Sequence, residues 1–320
     1  MTRRPGTGSA VHVEDRRVAG AWVGGIASAI AYGLTPTVAA LAYTEGVSPS
    51  VLVTLRGLLG GALILAFAAA TGRLRRLPLR ASLGLTFLCG PIFGLQILAY
   101  FAAVQSTGAQ IALVLVHVYP VFVLLLVMLT RGQRAGLPVL MVCALMMGGI
   151  GLVSGSGSSS ITAVGAGMAV LSAAGYAVYL VLGEPWVRQV GAIAATGLVT
   201  AGSTLAVGIV ALATHQDFAL SSGGWRTVIL QAVFLIPIGV GGAFYAVRHL
   251  GSVSMSLLGL LEPIVGVVVA AIVLSERLGG LQWAGVTTIL LACSLLPWAT
   301  RWRRARGSTD TSERSVTVSN

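Results

Sequence analysis

Runs of some twenty apolar residues alternate with short polar breaks along nearly the whole chain. An α-helix rises 1.5 Å per residue, so about 20 apolar residues cover a ~30 Å hydrocarbon layer. Ten such spans are predicted, at about 19–43, 50–71, 81–104, 109–130, 137–153, 161–182, 192–214, 226–248, 252–274 and 280–300. The expected fold class is therefore an all-α integral membrane protein with ten transmembrane helices. Residues 1–18 form a polar N-terminal tail, 154–160 a Gly/Ser linker, and 301–320 a Ser/Thr-rich tail expected to be disordered. The first apolar run is too long for the hydrophobic core of a cleaved signal peptide, so it is expected to remain as a helix.

The linker separates two five-span units, 19–153 and 161–300. At an offset of 143 residues, Phe101, Gly108, Pro120, Arg134 and Gly136 fall on Phe244, Gly251, Pro263, Arg277 and Gly279. At an offset of 144, Ser28, Ala29 and Tyr32 fall on Ser172, Ala173 and Tyr176. An odd number of spans per unit turns the second copy over in the membrane. Two inverted five-helix repeats are thus predicted, a pattern typical of secondary transporters.

Charge supports this picture. Only 9% of residues are charged and 56% are hydrophobic, against roughly 25% charged in a soluble domain. The net charge is +11, and all 20 basic residues are Arg. Such a balance can signal nucleic acid, but its distribution argues otherwise. With the N-terminus in the cytoplasm, 17 Arg lie in cytoplasmic segments, Arg226 and Arg277 lie outside, and Arg56 lies within a span. By the positive-inside rule both termini face the cytoplasm of a cell whose inner membrane holds the chain. The expected partners are a lipid bilayer and a small-molecule solute, with no nucleic acid. Cys89, Cys143 and Cys293 sit in apolar runs at no metal-binding or disulfide spacing, and no cofactor or metal is expected.

Ionisable and hydroxyl side chains inside the spans are the candidate chemistry, because charge in hydrocarbon costs at least ~2.5 kcal/mol and must face the bundle interior. Arg56, His117 and Glu262 are the buried ionisable candidates. Arg56 offers an anion a fixed charge and a planar donor fork, or it pairs with Glu262 or a helix-end carbonyl. His117 and Glu262 are groups through which protons could act as a coupling ion. Ser28, Tyr32 and Thr35 on span one, and Ser172, Tyr176 and Tyr179 on span six, form repeat-related polar stripes. Gln96 and Tyr100 form a similar pair on span three, and Ser256 lies on the small polar face that carries Glu262. Together these residues predict a central cavity, with packing through hydroxyls as the plainer alternative. Pro120 and Pro263 are candidate hinges, because each removes a backbone donor. Pro263 leaves the carbonyl near Gly259 without its usual partner.

The Val118-Tyr119-Pro120-Val121-Phe122 segment and the Leu261-Glu262-Pro263 and Leu274-Ser275-Glu276-Arg277-Leu278 segments resemble the drug/metabolite transporter superfamily, specifically its EamA-type two-repeat members. Arg56 also resembles that family's span-two Arg. Ser275 stands where the family usually has Gly, and Gln133 where it often has Glu. The resemblance implies a secondary transporter moving a small metabolite, such as an amino acid or related solute, outward by alternating access. The alternatives are a channel or receptor-like bundle and, further off, an intramembrane enzyme. Neither P-loop, Gly-x-Ser-x-Gly nor His-Glu-x-x-His is present, so a non-enzymatic carrier is expected.

The topology is open to test. A single cysteine placed near residue 157, in a background lacking the native three, should be labelled by a membrane-impermeant thiol reagent added to intact cells. Labelling only after permeabilisation would break the ten-span prediction.

Overall fold

The computed structural model describes residues 7–131, 137–154, 162–275, 279–281, 283–292 and 294–295. Within it the chain is helical almost throughout: α1 (Thr7–Thr44), α2 (Pro49–Ala70), α3 (Leu79–Thr107), α4 (Ala109–Val116), α5 (Tyr119–Arg131), α6 (Leu137–Ser154), α7 (Ala163–Val190), α8 (Ala192–Ala213), α9 (Ser222–Leu250), α10 (Ser252–Leu258), α11 (Glu262–Val273) and α12 (Trp283–Ala292). Among the described residues, seven helices are long and apolar enough to cross a membrane, α4 and α5 together making one of them. Large apolar side chains such as Leu63, Phe67, Phe87 and Leu129 stand exposed on the outside. In water such a surface would be an aggregation hazard, whereas in lipid it is the solvated face. The Arg134/Arg277 pair and residues 155–160 of the Gly/Ser linker lie outside the described residues, while Ser154 ends α6.

The packing interleaves the two halves of the chain. The main neighbours of α1 are α9 and α11, α2 lies along α8, and α3 lies along α7 and α8. Glycine makes the closest of these crossings. A Cβ on Gly202 would overlap the backbone carbonyl of Thr86, and one on Gly90 would come within 2.7 Å of the Gly202 Cα. Without side chains between them, the backbones of α3 and α8 make direct van der Waals contact, which drives helix association where lipid supplies no hydrophobic effect.

Local irregularities recur in both halves. Leu85–Cys89 in α3 and Gln231–Leu235 in α9 are single π-turns, closed by bonds from Gly90 N to Leu85 O and from Ile236 N to Gln231 O. Each lies just before a proline, Pro91 or Pro237. α3 ends at Gly108 (φ 85°, ψ 161°) and α9 at Gly251 (φ 88°, ψ 165°), a left-handed turn that glycine adopts without a Cβ penalty. The following helix is interrupted in each half. His117 and Val118 form a turn between α4 and α5, and Gly259–Leu261 is a 3₁₀ turn between α10 and α11. Each interruption ends two residues before a proline, Pro120 or Pro263, so the predicted spans four and nine are each two helices. Pro36, by contrast, lies inside an uninterrupted α1.

The glycine contact between α3 and α8 yields a stability test. Gly202→Ala should destabilise the purified protein by about 1–3 kcal/mol, the usual range for overpacking. Gly148→Ala, at an exposed site on α6 with nothing within 4 Å of its Cβ, should leave thermal unfolding in detergent unchanged.

Candidate functional site: a tyrosine-walled cavity at two broken helices

The two interruptions meet each other. Pro263 has no N–H, so the Gly259 carbonyl loses its regular helical donor. Glu262 N reaches that oxygen through the 3₁₀ turn, and His117 Nε2 lies 3.1 Å from it. Tyr119, from the opposite break, donates its hydroxyl to the Ser256 carbonyl at 3.1 Å. Each break thus supplies side-chain partners to the other or receives them, as buried backbone requires in hydrocarbon. A Cβ at Gly259 would overlap the Tyr119 hydroxyl, so a larger residue there would force that ring to move.

His117 is fully buried. Its Nδ1 is 2.5 Å from the Leu113 carbonyl, and its Nε2 is also 3.5 Å from Glu262 Oε2. Both ring nitrogens therefore face oxygen acceptors. Which nitrogen donates depends on the tautomer, and the Nε2 side is the one shared between the Gly259 carbonyl and the Glu262 carboxyl group.

Glu262 opens onto a cavity whose water-accessible volume is about 40 Å³. That is room for roughly two to four waters at ~10–15 Å³ each. Tyr32 and Thr35 come from α1, Gln96 and Tyr100 from α3, Tyr119 from α5, Ser172 and Tyr176 from α7, and Phe93, Ile97 and Val116 complete the wall. The Tyr176 ring meets the rings of Tyr32 and Tyr119 edge-on, each at 84°. Ser172 donates to Gln96 Oε1 at 2.9 Å, which fixes that amide. The Tyr100 hydroxyl and Glu262 Oε1 are buried without a hydrogen-bond partner, and the hydroxyls of Tyr32 and Tyr176 have none but each other.

Of the expected site residues, the structure brings Tyr32, Gln96, Tyr100, Tyr176 and Glu262 to one cavity, with His117 directly behind the carboxylate. Tyr179 and Ser256 do not reach it. Tyr179 packs between Phe93 and Phe244, and the Ser256 hydroxyl turns back to the Val253 carbonyl. Arg56 does not pair with Glu262. Its Nη1 donates to Gln231 Oε1 at 2.7 Å, and its guanidinium lies 4.7 Å from the centre of the Phe101 ring.

Sequence reasoning missed three contributors. Gln231 is a polar residue within an apolar run, and the π-turn of α9 presents it to Arg56. Tyr119 was visible only as part of the Tyr-Pro segment. Glu184 lies beyond the predicted end of span six, but α7 continues to Val190. Its carboxylate accepts from Ser252 Oγ at 2.6 Å at the start of α10, and from Arg188 at 3.0 Å. At the other end of the bundle Ser221 donates to Glu45 at 2.6 Å.

A bundle of membrane-length helices with a cavity lined from both of its halves fits a multi-pass membrane transporter. The comparison with protein families agrees. The EamA-like transporter family matches residues 20–155 and 163–297, and the chain belongs to that family, within the drug/metabolite transporter superfamily. A protein of known crystal structure shares the fold at a TM-score of 0.64 and 17% identity, covering 89% of this chain and 99% of its own. No curated protein matches the chain.

The Arg56 contact can be measured by a double-mutant cycle. Gln231→Leu should destabilise by about 1.5–3 kcal/mol, the range for a hydrogen bond to a charged group. Adding Arg56→Met should recover much of that loss in thermal unfolding, because no buried charge is then left without a partner.

Proposed function

We propose that the chain is a ten-helix secondary carrier, built of two inverted five-helix halves, that moves a small polar solute by alternating access. The observation that carries this reading is the polar cavity lined from both halves and bounded by two proline-broken helices. Its wall includes Tyr32 and Tyr176, which are equivalent under the repeat. Discontinuous helices beside a central site are how such carriers expose backbone and side-chain polar groups to a solute without exposing them to lipid. The matched π-turns, left-handed glycines and proline breaks support the repeat. Under the Arg distribution, Glu184, Arg188 and Ser252 lie at the cytoplasmic end, and Glu45 and Ser221 at the outer end.

In this reading Tyr32, Gln96, Tyr100, Tyr176 and Glu262 contact the solute, and His117 orients Glu262. Pro120 and Pro263 mark the flexing points where one half rocks on the other. Outward movement of an amino acid or related solute is the role the family resemblance favours, with protons as the coupling ion through His117 and Glu262.

The test begins by comparing metabolites in cells that overproduce the protein with those in cells that lack it. A solute found this way should show saturable counterflow in proteoliposomes, whereas flux without saturation or counterflow would mark a pore. Glu262→Gln keeps the shape and removes the charge. It should insert normally yet lower counterflow about tenfold or more, the equivalent of at least ~1.4 kcal/mol. Unchanged flux would leave Glu262 a structural role only.

A further inference from the structure

Four buried oxygens in the cavity lack a hydrogen-bond partner outside their own set: Glu262 Oε1 and the Tyr100 hydroxyl have none, and the hydroxyls of Tyr32 and Tyr176 have only each other. Polar atoms buried in this way are costly unless a guest completes them. Their chemistry specifies the guest. A carboxylate oxygen accepts only, and a tyrosine hydroxyl offers two lone pairs for its single proton. The set is therefore rich in acceptors and calls for a guest that carries positive charge, with or without N–H donors.

The charges point the same way. Glu262 Oε2 is turned to His117, which leaves Oε1 directed away from that pairing. Among the described residues the buried guanidinium, that of Arg56, is absent from the wall and is held by Gln231 and Phe101. An anionic guest would thus meet a carboxylate here with no guanidinium to offset it. The walls are also suited to a cation. The Tyr176 ring stands edge-on to those of Tyr32 and Tyr119, and all three border the cavity, so a guest there lies against aromatic surface. Aromatic faces attract ammonium groups, most strongly where both are out of water. Phe93, Ile97 and Val116 leave an apolar side for an alkyl part.

We infer that this cavity recognises the ammonium group of its solute, with Glu262 Oε1 as counter-charge and the tyrosines as an aromatic enclosure. The inference rests on the carrier reading above and narrows it to solutes that carry a protonated or quaternary amine. Since the cavity as it stands holds only a few waters, small ammonium compounds are the fitting probes.

The experiment uses the full-length protein purified in detergent. Its thermal unfolding is followed with methylammonium, tetramethylammonium and choline, with 3,3-dimethylbutan-1-ol as the uncharged isostere of choline, and with acetate as an anion. A ligand that binds the folded state raises the melting temperature in proportion to its saturation. Millimolar ammonium compounds should stabilise the protein. The alcohol and acetate should bind about tenfold more weakly or not at all. Glu262→Gln should abolish the difference between choline and its isostere. Tyr176→Phe, which keeps the ring and removes one hydroxyl, should weaken methylammonium binding several-fold with little change in the unliganded melting temperature. This second variant keeps the test decisive should Glu262→Gln fail to fold. Equal stabilisation by choline and the alcohol, or none by any ammonium compound, would overturn the inference. Saturable counterflow of a metabolite that persists after such a result would leave the carrier reading standing. Absence of counterflow would remove both.

Discussion

Backbone polar groups that lose their helical partners inside hydrocarbon must find others, and the structure around the cavity follows from that requirement. Pro263 removes the regular donor for the Gly259 carbonyl, and the chain leaves helical geometry both there and at His117–Val118. These defects are several kcal/mol too costly to face lipid. They are placed against each other instead. His117 reaches Gly259 and Tyr119 reaches the Ser256 carbonyl, so the two halves are joined where each helix is weakest.

Glu262 is positioned by the same arrangement. As the first residue of α11, it follows the 3₁₀ turn and stands beside the imidazole that serves Gly259. Arg56 is managed separately. The π-turn in α9 sets Gln231 under the guanidinium, and the Phe101 face covers it. One charged cluster is therefore open to the cavity through Glu262, and the other is closed within the packing.

Among the described residues, the Ser221–Glu45 bond ties the two halves at one end, whereas the Glu184–Ser252 bond at the other end lies within the second half. Within the bundle, much of the cohesion is small-residue contact such as that of Gly90 and Gly202. A surface of that kind can slide or rock with modest loss, whereas a network of interlocked large side chains could not. The proposed carrier cycle has its physical basis in this contrast between strong local pairing at the breaks and smooth packing elsewhere.

Much of the fold was legible from the chain alone, because hydrophobic runs of bilayer length admit few alternatives to helices and because the prolines, glycines and tyrosines repeat at offsets of 143 and 144. The depth of Tyr32, Gln96, Tyr100, Tyr176 and Glu262 was legible too, since polar groups within apolar runs must turn inward. Their partners were not. Arg56 has Gln231, 175 residues away, and the π-turn that presents it leaves no mark in an apolar sequence. Tyr179 and Ser256 share the expected polar stripes yet miss the cavity, because helix rotation and the 3₁₀ turn before Glu262 are set by packing across the halves. Periodicity along one helix determines which side chains avoid lipid, but only the crossing of several helices decides which of them meet.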